Sequence, residues 1–571
     1  MFGFGVTNMV VVVVYLLGIT ALGSMAARWI KRSDEFIMPR RFGKSMLIMH
    51  AFGTGTHSDQ AVSVAAKSYT AGLSGIWYQW LWLFVTPFYW FIAPMMRRFR
   101  AITIGDIFEL RYGPSVSMLY STMGMAMMLT NIGLMLRGAG AVVGAATPDA
   151  LNTDLAIAAI TVLFVIYGMA GGLSGAIITD FVQGIFTVLF SFILLPFVLN
   201  AVGGLGGMQE KIVEISGEGA LSLVAPGEIG IFYVVVIAVN ALVGIVTQPH
   251  VLGNCAAGRE ENDGQVGFMF GNLLKRVCTV AWTVTGLAAI AYFAGREINP
   301  DLIYGEMARE FFPRILPGLL GVFVASILAA VMSSCDSFMI ASSGLFTNNL
   351  YKRFVTDKGE HHYLWVARVT GVVMVALGVG YAYWLPSVVR GLEIFWKVCA
   401  MMGVAFWLGV FWRRATAAGA WAATVTSLAA WALSAHSEAF VHAVSELPLA
   451  DTLQFVVSGE SGLEMYMPWQ MLFYLFVGLL TGVVVSLLTP RRDGEKLERY
   501  YALLRTPVRG EEEVPEPCTL PDDVTVPEKD ELLPESDLRI PKPSVRGVVG
   551  FLVGWACVLA IIIPVYLLIA A

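Results

Sequence analysis

Four small or hydroxyl-bearing residues, Ala330, Ser333, Ser334 and Ser337, stand inside one apolar stretch of the 571-residue chain. Spacings of three and four put them on one face of a helix. Serine hydroxyls beside a free backbone carbonyl form a set of hard, neutral oxygens. Such a set suits Na+, whereas a Ca2+ site gathers carboxylates. The same face also serves plain helix packing, because small side chains let a second helix approach closely. The ion-binding reading therefore needs a partner that brings unpaired carbonyls to the face.

Two other stretches have the composition to do so. Ala51-Phe-Gly-Thr-Gly-Thr-His-Ser-Asp-Gln60 sets two glycines and a polar cluster in the middle of an apolar segment. Val246-Thr-Gln-Pro-His250, followed by Gly253 and Asn254, carries a proline in its second half. In hydrocarbon a helix unwinds only where protein or a water-filled cavity satisfies its backbone. Both stretches read as broken helices; the alternative is that each is a loop. Ionisable residues at His57, Asp59, Arg137, Asp180, Asp336, Glu393 and Lys397 also fall within apolar segments. Such groups are costly in a membrane and functional by default, with structural pairing or snorkelling to an interface as the plainer alternative.

The elements that must position these residues follow from composition. Hydrophobic residues make up 57% of the chain and charged residues 14%, with a mean hydropathy of +0.70. A soluble protein carries about 25% charge. The composition excludes a soluble enzyme, a disordered scaffold and a nucleic-acid binder, and with a net charge of −5 there is no basic run to grip phosphates. Apolar runs long enough to cross a bilayer as helices fall at 6–28, 45–70, 75–96, 115–146, 152–170, 175–202, 228–255, 266–293, 316–350, 363–386, 391–412, 415–435, 467–489 and 547–570, fourteen in all. The alternating pattern of a β-barrel is absent. The chain is an all-α polytopic membrane protein with the lipid bilayer as its surroundings.

Lys and Arg crowd alternate loops, as at Arg28–Lys44, Arg97–Arg111, Lys352–Arg368 and Arg413–Arg414, with Arg259, Lys275 and Arg276 assigned to another loop of that side. By the positive-inside rule these loops are inside and both termini are outside. No Lys or Arg precedes the first segment, unlike a cleaved signal peptide. The six cysteines show no metal-ligand spacing, and no disulfide framework is expected. Residues 490–546 begin with an amphipathic stretch, Glu495–Leu504, and continue rich in proline and acid, a composition expected to stay extended or disordered. No Walker sequence is present, which argues against an ATP-driven pump. No nucleophile–base pair or metal cluster suggests an enzyme, and no obligate protein partner is evident.

The two broken segments lie five spans apart and run in opposite directions. That is the pattern of an inverted repeat of five plus five helices around a central site. It divides the chain into an extra helix and inside loop at 1–44, a first repeat at 45–202 and a second at 203–414. Additional helices at 415–489, the inside segment 490–546 and a last helix at 547–571 follow.

Several motifs together resemble the sodium:solute symporter family, over about residues 5–490. Gly171-Gly-Leu-Ser-Gly-Ala-Ile-Ile-Thr-Asp-Phe-Val-Gln183 is similar to the family signature. Ala329–Ser337, continuing to Thr347-Asn-Asn-Leu-Tyr-Lys-Arg353, resembles its sodium-site helix, and Trp412–Ala420 the loop after its tenth core helix. The resemblance implies the leucine-transporter-type fold, alternating access and Na+ as the coupling ion in the cell (inner) membrane. It implies a sodium site from the backbone oxygens of Gly53 and Thr56 with the oxygens of Ala330, Ser333 and Ser334. It allows a second site at Asp180 with Ser333 and Ser337, where Asp336 replaces a serine or alanine of some members. For the small-molecule solute it points to Gln60, Gln79, Thr247, Gln248 and Lys397, with His57 and Arg137 nearby. Two cations favour a carboxylate and two glutamines favour hydroxyls, so a small organic acid or amino acid is weighed slightly above a sugar. A proton-coupled transporter using Asp59, Asp180 and His57, and a solute sensor acting through 490–546, are the rival readings.

Overall fold

The computed structural model describes residues 4–147, 153–225, 229–385, 387–459, 462–491, 494–510, 512 and 516–569. A peripheral helix α1 (Val6–Ser24) precedes the first repeat. That repeat opens with α2 (Lys44–Gly55) and α3 (Ser58–Ala71), the two halves of a broken span. Thr56 and His57 leave helical geometry between them, with His57 extended at φ −116 and ψ 171. A tightly wound stretch then leads into α4 (Tyr89–Arg98), a short α5 (Ile104–Tyr112) and the long α6 (Pro114–Ala146).

Helices α7 (153–171) and α8 (173–193) meet at Gly172 without a loop. Gly172 has φ +51, and a Cβ there would stand 2.6 Å from the Phe36 carbonyl oxygen. Tyr167 and Thr179 both lie against Gly23 of α1. Twelve residues of straight helix would separate them by about 18 Å, so the chain doubles back at Gly172. This split makes two spans of one continuous apolar run.

The second repeat opens with α9 (Ile231–Ile245) and α10 (Pro249–Ala256), bent by 72°. Pro249 has no N–H and so starts α10 at the position where a helix needs none. There follow α11 (Glu261–Tyr292), the short α12 (Ile303–Ile315), α13 (Leu319–Gly344) with a wider π-helical turn at Leu345–Tyr351, α14 (Glu360–Trp384) and α15 (Val388–Phe411). Outside the repeats lie the paired α16 (Ala417–His436) and α17 (Met467–Leu488), α18 (Glu495–Arg505) and α19 (Val545–Leu568). A hairpin of β1 (Val456–Gly459) and β2 (Gly462–Met465) caps α16 and α17.

Among the described residues nine helical runs are long and apolar enough to cross a membrane, and the bent α9–α10 pair makes a tenth. The segments at 45–70 and 75–96 are divided into short helices and turns, none of them alone long enough to span, and 415–435 falls on the less apolar α16, which packs on α17. Helix α11 packs along both α2 and α3, while α13 packs on α6, α7, α8 and α1. The two broken spans thus sit between α11 and α13.

One expectation is corrected. Lys275 and Arg276 are not loop residues: they lie in the middle of α11, 4% and 1% exposed. Of the extended and disordered alternatives for the long inside segment, the described residues show the extended one: beyond α18 the backbone is irregular, and it is held against the membrane part by contacts such as those of Tyr500 with Phe99 and Glu512 with Arg100. The six cysteines are free.

Gly172→Ala forces a left-handed residue to carry a side chain into the Phe36 carbonyl. It is expected to cost about 1–3 kcal/mol and to lower the melting temperature of the purified protein. Gly18→Ala, where a Cβ meets nothing within 4 Å, is expected not to lower it.

Candidate functional site

The serine face of α13 meets the last turn of α2. Ser334 Oγ donates to the Ala330 carbonyl at 3.0 Å and lies 3.2 Å from the Gly53 carbonyl oxygen. The hydroxyls of Thr56, Ser333 and Ser337 are buried without a hydrogen-bond partner. A buried hydroxyl left unpaired is costly unless a ligand or water completes it. Gly53, Ala330 and Ser334 meet at one junction, Thr56 lines a small cavity with Ala330, and Ser333 is the next residue of α13, so neutral oxygens predominate here. That donor chemistry fits Na+.

Asp180 approaches the same turn from α8. A Cβ on Gly53 would touch the Asp180 carboxyl carbon at 3.2 Å, so the glycine lets α2 sit against the acid. Asp180 Oδ2 lies 2.6 Å from His50 Nδ1 and accepts from Thr54 at 3.4 Å, whereas Oδ1 has no partner. The signature aspartate thus faces a histidine that sequence reasoning passed over. Ser337 and His50 share the wall of a small cavity, together with Thr103, Pro249, His250 and Leu345. Asp336 is fully buried, and neither of its carboxyl oxygens has a partner.

On the other side of the break, His57 Nδ1 is hydrogen-bonded to the Asp59 carboxylate, and its Nε2 lies 3.3 Å from Gln60 Nε2. Lys275 donates to the Gly55 carbonyl, with Asp59 within electrostatic reach. Arg276 donates to the Gln79 carbonyl at 3.1 Å. The side-chain oxygens of Gln60 and Gln79 stay unpaired. In the second break Thr247 Oγ1 donates to the carbonyls of Cys399 at 2.7 Å and Gly244 at 2.9 Å, and the Thr247 carbonyl accepts from the Tyr120 hydroxyl. Gln248 Nε2 is unpaired. Phe338 of α13 joins the two breaks: its ring centroid is 4.5 Å from that of His250 and 6.2 Å from that of His57. A second small cavity is lined by Thr56, His57, Thr187, Trp282, Ser326 and Ala330.

Two residues assigned to the solute have carboxylate neighbours of their own. Lys397 sits in a charged group with Glu393, Glu464 and Arg390, where Glu393 accepts from Tyr78 at 2.8 Å. Arg137 is exposed on α6, with Asp301 of the connection before α12 as its electrostatic neighbour. Both are explained by local charge: each has a carboxylate on its own side of the protein. The cation beside the breaks is Lys275. Its signal was present in the sequence, a lysine fourteen residues into an apolar helix, but it was read as a loop charge.

The profile of the sodium:solute symporter family matches residues 36–426. A sodium/pantothenate symporter of Haemophilus influenzae is 23% identical over 349 residues, 60% of this chain and 70% of that protein. The sodium/sialic acid symporter NanT of Aliivibrio fischeri is 25% identical over 464 residues, 76% of this chain and 88% of that protein. A solved structure of a Na+-coupled sialic acid symporter, in a substrate-bound outward-open state, superposes with a TM-score of 0.71 at 18% identity, over 86% of this chain and 100% of that chain.

Ser334→Ala removes the hydroxyl that faces the Gly53 carbonyl. The Na+ concentration for half-maximal uptake is expected to rise at least about tenfold, the equivalent of about 1.4 kcal/mol. Ser342→Ala, whose hydroxyl bonds only to its own helix, is expected to leave it unchanged.

Proposed function

The chain belongs to the sodium:solute symporter family, and we propose that it imports a small carboxylate, an organic acid or amino acid, through the cell membrane with both termini outside. It is a sodium-coupled multi-pass symporter, not an enzyme. The sodium ligands proposed are Gly53, Thr56, Ala330, Ser333 and Ser334. The observation that carries the sodium part of this reading is the approach of Ser334 to the Gly53 carbonyl.

The mechanism follows from where that junction lies. A Na+ held by oxygens of both α2 and α13 ties the broken span to the helix behind it. Solute beside the break then binds a pre-arranged wall. A ligand shifts a conformational equilibrium only by its differential affinity for the two states, and the coupling between ion and solute is reciprocal. At −100 mV each entering Na+ adds about 2.3 kcal/mol of drive, before any concentration gradient.

The solute class rests on Lys275, not on Lys397 or Arg137. Its ammonium bonds to the unwound Gly55 carbonyl and is set against Asp59, with the unpaired oxygens of Gln60 and Gln79 on neighbouring elements. A carboxylate replaces the neutral carbonyl as the stronger acceptor. Gln60, Gln79, Thr247 and Gln248 are left for hydroxyl or amide groups, and they support a sugar as the second reading. Asp180 with Ser337 remains a proposed second ion site.

The test is uptake by purified protein in proteoliposomes, against labelled organic acids, amino acids and sugars. A Na+ gradient is expected to drive it and choline is not; uptake equal in both but following a pH gradient overturns the coupling ion. Lys275→Gln is expected to weaken a carboxylate at least about tenfold, as the loss of a charged hydrogen bond does, and to spare neutral compounds. Thermal stabilisation by a neutral sugar alone, unchanged by Lys275→Gln, overturns the carboxylate and restores the sugar.

A further inference from the structure

The segment after α17 grips the membrane part at three separated places. From α18, Tyr500 packs on Phe99 with ring centroids 4.9 Å apart, and the Tyr501 hydroxyl donates to the Gly409 carbonyl at 3.0 Å. Arg98 donates twice to the Glu261 carboxylate, at 3.0 and 2.8 Å, and once to the Leu504 carbonyl at 3.3 Å. Glu261 in turn accepts from the Val508 N–H at 3.3 Å. Arg100, 1% exposed, forms a fork with Glu512 through two bonds of 2.7 Å, and donates further to the carbonyls of Thr506 and Pro507 at 3.3 Å. At the end of α15, Glu498 pairs with Arg413, whose guanidinium pulls that carboxyl below its ordinary range, so the contact stays charged. There too the Arg413 N–H donates to the Asp537 carbonyl at 2.8 Å and the Arg539 N–H to the Phe411 carbonyl at 2.7 Å.

Two of these places adjoin the cavity lined by Ser337 and His50. Ile102, Thr103 and Ile104, which form one wall, follow directly on Arg98 and Arg100. Pro249, His250 and Gly253 of α10 form another, and Glu261 begins the next helix. The third place, Gly409–Arg413, ends α15. Widening the cavity towards this face requires its walls to part. Buried forks between arginine and carboxylate have fixed geometry, and separating one leaves a charge buried without its partner.

We propose that residues 495–510, 512 and 516–539 form a latch across the inner face, which holds the 98–104 connection, the start of α11 and the end of α15 together. Its strength sets the balance between states with the cavity shut and open on that side. The functional part of the inference rests on the transport reading; the conformational part does not.

The test compares the full-length protein in nanodiscs with Glu512→Gln, which weakens the fork on Arg100, and Glu498→Gln, which cuts the anchor on Arg413. Hydrogen exchange over α10 and Leu345–Tyr351 is expected to rise at least about threefold in both, as a shifted opening equilibrium requires. External Na+ for half-maximal uptake is expected to rise by a similar factor, because the ion-binding outward state is depopulated. Exchange that rises only within 495–539, with the cavity walls and the Na+ response like the parent, overturns the latch and leaves a passive tether. Should Glu512→Gln not accumulate as folded protein, the more exposed Glu498→Gln decides by the same two readouts. If uptake by the parent needs no Na+, the transport reading fails while the exchange result still decides the latch.

Discussion

A backbone carbonyl or amide in hydrocarbon has no water to turn to, and the two interrupted helices are organised by that constraint. Some groups at the breaks bond within their own span, as the Thr56 N–H does to the Gly53 carbonyl and the Gln60 N–H to the His57 carbonyl, and others take partners from different helices. Gly53 faces Ser334 of α13, Gly55 accepts from Lys275 of α11, and Thr247 accepts from Tyr120 of α6. The interruptions therefore hold the fold together as well as opening it. Helices α11 and α13 pack on the first broken span because they supply the missing hydrogen bonds, and the polar residues that do so become the walls of the site. Binding a cation at the Gly53–Ser334 junction substitutes one oxygen partner for another, a small rearrangement with large consequences for which helices are joined.

Buried charge is arranged by the same economy. Asp180 is set against His50, and His57 against Asp59, which also has Lys275 in electrostatic reach. Asp336 alone of these acids has neither oxygen paired. Removing one member of a buried pair leaves the other uncompensated, typically at a cost of about 3–5 kcal/mol. Variants at these positions therefore report on folding as well as on transport. Changes to neutral hydroxyls such as Ser334 separate the two.

The architecture was legible because hydropathy and the bilayer thickness leave few choices. The breaks were legible because Gly53, Gly55 and Pro249 are costly in mid-span. The sodium face needed only the spacing of Ala330, Ser333 and Ser334. Charges were harder. A lysine stem can carry its head a full turn along a helix, so linear position does not say which side of α15 Lys397 presents or that Lys275 turns inward to a broken span. His50 was invisible for another reason: its partner Asp180 is 130 residues away, and only tertiary packing brings them together. For 490–546 composition leaves extended and disordered chain undistinguished, because it measures only what a segment can bury by itself. This one uses Phe99, Arg98 and Arg100 of the membrane part as its core.

The loopless reversal at Gly172 has a mechanical consequence. Two helices joined through a flexible connection can slide past one another, but α7 and α8 share a single residue at their common end and cannot. Their relative freedom is that of a pair of dividers: the legs swing about the joint and do not change length. Displacement grows with distance from the joint. Thr187, fifteen residues along α8, stands about 22 Å from it, so a swing of about 5° carries Thr187 about 2 Å. Thr187 lines the cavity beside Thr56 and Ala330, whereas Asp180, about half as far out, moves half as much. A single pivot thus moves the acid about 1 Å relative to the joint, while the far leg, moving twice as far, widens or narrows the space behind the ion site.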